Sequence, residues 1–184
     1  MDEQKASEKK TPTIGSQGNP APVGATVRTR VERGDRYSAP EVYNLDITLR
    51  EIVKGTEASN RIAEHGLLGR PEPGSDYILC RVRVGYFSKG RGFGHSTEKY
   101  QVTGEHFAAV AADGKEEFPL PMLLRQPDPP LVGTSLSVNE SREGWVVLQV
   151  PAVGNPFLIF RREYATNQYG VWGPVWFRMS YEEV

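Results

Sequence analysis

The chain has 184 residues, 22 Lys+Arg against 23 Asp+Glu, and a net charge of −1. That length suits one domain with extensions, and the near-neutral balance argues against non-specific nucleic-acid binding or adhesion to an anionic membrane by charge alone. Nineteen glycines, 14 prolines and a single cysteine favour a loop-rich all-β domain in which no intrachain disulfide is possible.

After Met1, residues 1–24 hold no large apolar side chain except Ile14 and Val23. Such a segment buries too little surface to offset its ordering entropy, so a disordered polar tether is expected over 1–24, with the folded domain over 25–184. No secretory leader pattern is read ahead of DEQKASEKKTPT, and no apolar run approaches the ~20 residues of a membrane span.

Val27 to Val31 alternates as an edge strand. Tyr43 to Ile52 follows with Leu45, Ile47 and Leu49 on one face. Over Thr56 to Leu68 the period changes, predicting a short helix with Thr56 as N-cap, Ala58, Ile62 and Ala63 on one face, and Gly66 as its stop. The best-patterned stretch is Asp76 to Phe87. Ile78, Cys80, Val82, Val84 and Tyr86 share one face, and Arg81 and Arg83 share the other. Cys80 is expected to be a small buried hydrophobe.

A long glycine-rich loop follows. Further strands are read at His106 to Ala111, Glu116 to Leu120, Leu131 to Val138, Gly144 to Val150, Phe157 to Arg162 and Val175 to Tyr181, with turns at 112–115 and 139–143. Seven to nine strands, one short inserted helix and no βαβ rhythm predict an antiparallel β-sandwich, with closure into a barrel as the alternative.

The order of these segments resembles a known family. IVKG, the helix EASNRIAEHGLL, the hook RPEPGSDY, the strand ILCRVRV, then EGWVVLQVP, FLIF and VWF resemble bacterial extracytoplasmic lipoproteins that carry an immunoglobulin-like domain of unknown function. That family is related in fold to the mycobacterial immunoprotective extracellular antigen. The resemblance spans roughly Thr26 to Ser180 and implies an immunoglobulin-like β-sandwich outside the cell. It also implies a lipid anchor on a cysteine preceding the polar segment and absent from this chain. It supplies no catalytic residue.

Ser88 to Ser96, SKGRGFGHS, is the candidate ligand loop. Lys89 and Arg91 supply charge, Phe93 a stacking surface and His95 a titratable ring, while Gly90, Gly92 and Gly94 free the backbone. No helix is predicted after it, unlike a nucleotide phosphate loop. His65, His95 and His106 match no zinc spacing, so neither metal nor cofactor is expected. Glu116-Glu117 and Glu182-Glu183 are adjacent and would point to opposite faces of a strand, unlike a glycosidase pair. Tyr164, Tyr169, Trp172 and Trp176 form an aromatic-rich corner read as packing.

The expectation is a non-catalytic cell-surface module that binds an unknown protein or envelope component, with no nucleic-acid partner. The alternative is an accessory envelope domain assembling through its edge strands. A hydrolase stands third, because nucleophile, base and orienter form no motif.

Overall fold

The computed structural model describes residues 13–33, 41–66, 71–88, 99–121, 127–161 and 173–180. Its first sheet is built from β1 (Thr26–Arg33), β2 (Glu41–Lys54), β3 (Ser75–Ser88) and β8 (Glu140–Pro151), hydrogen-bonded in the order β1-β2-β3-β8. The second sheet contains β5 (Phe107–Val110), β6 (Glu117–Pro119), β9 (Phe157–Phe160) and β10 (Val175–Arg178), in the order β10-β9-β5-β6. A two-stranded pair, β4 (Tyr100–Gln101) with β7 (Ser135–Leu136), flanks them, and every ladder is antiparallel. Ten strands are thus described, against seven to nine expected; the surplus comes from pairs too short to show a period.

This strand order is that of an immunoglobulin-like sandwich. β2, β3 and β8 occupy the places of strands A, B and E, and β10, β9, β5 and β6 those of G, F, C and C′. β1 is an extra strand on the edge beside A. The helix α1 (Gly55–Glu64) is inserted between A and B.

Period-two patterning explains the core. Leu45, Ile47 and Leu49 of β2 and Ile78, Cys80, Val82, Val84 and Tyr86 of β3 face inward. They meet Phe107, Ala109, Leu158, Phe160, Val175 and Phe177 from the second sheet. On the opposite face of β3, Tyr77 and Leu79 are also buried, because Ala58 and Ile62 of α1 cover them together with Val53 and Val147. Thus only the Arg81–Phe87 half of that face carries the expected polar character. The second sheet is apolar on both sides: Ala108, Val110, Ile159 and Trp176 are buried on its outer face.

Several expectations need correction. The helix is not capped by Thr56; its N-cap is Lys54, with no side-chain cap bond, since β2 runs directly into it. Ala63 is exposed. Gly66 does stop the helix, at φ 61°, with its N–H donated to the Ala63 carbonyl at 3.0 Å. Leu131 to Val138 forms only the two-residue β7, and the turn read over 139–143 shrinks to Asn139 (φ 68°), so β8 begins at Glu140.

Part of the tether is also packed structure. Gly15 and Ala21 bond along the outer edge of β10: Ala21 N–H donates to Trp176 O (2.8 Å), Arg178 N–H to Ala21 O (2.9 Å) and Trp176 N–H to Gly15 O (2.9 Å). Ala21 is fully buried, and Gly15 sits so close to Val27 that a Cβ there would lie 2.7 Å from a Val27 methyl. Small residues held by backbone bonds fold here without an apolar signature. Residues 1–12 lie outside the described residues.

Candidate functional site

The candidate ligand residues Lys89, Arg91, Phe93 and His95 lie outside the described residues. What is described is the platform they leave from, the Ser88 end of β3. There Tyr43 of β2 packs on Tyr86 of β3 with centroids 4.8 Å apart, and Tyr86 on Tyr100 of β4 at 5.7 Å. Tyr100 stacks on His106 at 5.4 Å with ring planes 12° apart, and His106 contacts Phe160 of β9 at 5.6 Å. This ladder of rings crosses from the first sheet to the second at one end of the sandwich. The guanidinium of Arg33, at the end of β1, lies 5.2 Å from the Tyr100 centroid, within cation–π range.

His106 closes a 3-10 turn, Gly104–His106. Its Nδ1 accepts the Thr103 N–H at 3.1 Å, and the Thr103 side chain accepts the His106 N–H in return. Nδ1 is therefore the unprotonated nitrogen and Nε2 carries the hydrogen. Burial, reinforced by the nearby Arg33 charge, pushes the His106 pKa down to about 4. A neutral ring only 7% exposed is a packing and capping element.

Cys80 is equally enclosed. Burial pushes its thiol up to about 12, and its Sγ lies 3.6 Å from Met179 Sδ, donating across the sandwich. The expected buried, inert thiol is what the structure shows. His65 is exposed at the C-cap of α1, and His106 is sealed in the aromatic ladder; His95 is not described. Among the described residues no three His, Cys, Asp or Glu side chains gather as metal ligands. Of the aromatic corner only Trp176 is described. It is buried against Phe157, edge-to-face at 5.9 Å. Tyr164, Tyr169 and Trp172 lie outside.

The open half of the first sheet's outer face carries a charge lattice that single-strand patterns do not reveal. Arg28 chelates Asp46 through Nε and one terminal nitrogen, both at 2.7 Å. Arg81 pairs with Glu143 at 2.7 Å and with Glu51 at 3.8 Å, and Arg83 donates to Ser141 at 2.9 Å. The guanidiniums of Arg61 and Arg81 lie 5.8 and 5.9 Å from the centroid of the Trp145 ring. These partners come from neighbouring strands, so only the register, Thr48 beside Arg83 beside Glu143, brings them together.

No family model matches the chain, and no curated protein matches it. Among solved structures it is similar to MPT63, a secreted protein from Mycobacterium tuberculosis. The TM-score is 0.46 and the identity 11%, over 92% of this chain and 98% of that one. The fold class rests on the strand order described above. No described helix is long and apolar enough to cross a membrane.

Proposed function

We propose that this protein is a non-catalytic binding module working outside the cell, tethered to the membrane as a lipoprotein, with its ligand taken at the Ser88 end of the sandwich. The observation carrying this reading is the state of two groups suited to chemistry among the described residues. Cys80 is held as a thiol and His106 as a neutral base, and both are sealed in packing. Rigid sandwiches carry recognition on their loops. The loop with Lys89, Arg91, Phe93 and His95 departs from an end braced by five aromatic rings and Arg33. The exterior location and lipid anchor are supported by the segment order that resembles extracytoplasmic lipoproteins.

The test is capture by isolated bacterial envelope components, comparing the parent protein with a variant in which Lys89, Arg91, Phe93 and His95 are all alanine. Binding by the parent and its loss in the variant are expected. Equal binding by both would reject the loop.

A further inference from the structure

Among the described residues, the two four-stranded sheets have four edges, and three of these are blunted by different devices. On β10, the segment Gly15–Ala21 occupies the outer backbone groups. On β8, Pro129 and Pro130 run alongside: Trp145 N–H donates to Pro129 O at 3.0 Å, and Pro130 forms a parallel bridge with Trp145. β6 is three residues long and ends at Pro119, which has no N–H. β1 is different. It is eight residues long, regular, paired with β2 along its whole length, and no described strand lies on its other side. Long regular edges are templates for strand addition.

We propose that β1 pairs with β1 of a second copy of this chain, antiparallel, joining two four-stranded sheets into one of eight strands. The occupant and the register both follow from the strand's own charges. A two-fold axis normal to the sheet pairs residues of like parity. An odd register would lay the core face of one copy beside the outer face of the other. Centred on Thr29, the axis sets Arg28 against Arg30. Centred on Arg30, it sets Arg30 against itself. Centred on Val31, it sets Arg30 against Glu32 twice, Val31 against Val31 and Thr29 against Arg33, with no like charges on the outer face.

Within this register Arg30 and Glu32 stand on the outer face, the former exposed and the latter half-buried. Arg33 points the other way, over Tyr100. The Thr26–Arg28 half of β1, where Gly15 packs on Val27 and Arg28 holds Asp46, stays outside the paired stretch. An interface of this kind is isologous, so one strand supplies both halves of each contact. The inference is independent of any ligand at the Lys89–His95 loop.

Sedimentation equilibrium of the full chain, over a wide concentration range, tests it. The parent should shift from monomer to dimer mass as concentration rises. Arg30→Glu and Glu32→Arg, each made alone, face like charges across the axis and should lose the dimer. The double variant Arg30→Glu/Glu32→Arg restores opposite charges and should regain it, with unchanged far-UV dichroism in all four proteins. A parent that stays monomeric would overturn the proposal. So would a dimer that survives either single reversal, or a double variant that remains monomeric.

Discussion

His106 and Thr103 cap each other: the imidazole Nδ1 accepts the Thr103 N–H at 3.1 Å while the Thr103 side chain accepts the His106 N–H. The arrangement works only with a neutral ring, because a protonated Nδ1 cannot accept. Burial enforces the same state, holding the folded pKa at about 4 against an ordinary 6.5.

The sign of the pH dependence follows. Between pH 6.5 and 4 the unfolded chain binds a proton at this residue and the folded chain does not. His106 therefore lowers stability as pH falls through that window, by on the order of 3 kcal/mol in all. The loss should flatten below pH 4 for this group. In His106→Gln the amide oxygen can still accept the Thr103 N–H, as in a T-x-x-Q capping box. Urea midpoints across pH 4 to 7 should show a shallower slope for this variant than for the parent. Parallel slopes would mean that the ring is not held neutral.

Cys80 makes a second prediction. With its thiol at about 12 and fully buried beside Met179, the native protein should not react with an aromatic disulfide reagent at pH 8. Reaction should appear only as urea unfolds the chain, with a dependence tracking global unfolding, since β3 is central to its sheet. Rapid labelling of the native protein would contradict the packing. Stability should also fall as pH rises past the ordinary thiol value near 9, because the unfolded thiol ionises there while the folded one does not.

How far the sequence reveals this molecule depends on the range of the interaction concerned. β3 is legible because alternation is a local property, and Cys80 through Val84 alternate apolar and charged without a break. Gly66 is legible because a left-handed stop at φ 61° favours glycine. His106 is not legible. Its setting comes from the rings of Tyr100 and Phe160 and from the nearby charge of Arg33, none of which is its sequence neighbour. The Gly15–Ala21 hook is hidden for another reason: its affinity for β10 resides in backbone donors and acceptors that every residue type shares. The candidate loop is read from composition alone, four ligand-capable side chains among glycines, and it lies outside the described residues.

Ile62 tests whether α1 is part of the domain or an appendage. It is 1% exposed and sits with Ala58 over Val53, Tyr77, Leu79 and Val147. Ile62→Ala removes three carbons from a sealed contact and should lower unfolding free energy by about 2–4 kcal/mol. A matched control, Ala63→Ser on the exposed face of the same helix, should change it by less than about 0.5 kcal/mol. Comparable small effects at both sites would mean that the helix undocks without loss to the sheet.

Two glycines of the first sheet separate backbone crowding from side-chain crowding. At Gly144 in β8, a Cβ would lie 2.6 Å from Pro129 O and 2.7 Å from both Leu131 N and Pro130 C. All three are backbone atoms of the segment that covers the β8 edge, so Gly144→Ala must push that segment away and break the Trp145 N–H to Pro129 O bond. At Gly85 in β3, the Cβ would lie 2.5 Å from the Phe87 ring, a half-buried side chain on the outer face that can rotate. Gly144→Ala should therefore destabilise by about 2–3 kcal/mol, a backbone shift with a lost hydrogen bond. Gly85→Ala should stay near or below about 1 kcal/mol, an off-rotamer adjustment partly offset by the lower entropy of the unfolded chain. Thermal midpoints of the two variants, measured side by side, should keep that order. A reversal would place the rigid contact at Phe87 and free the β8 edge.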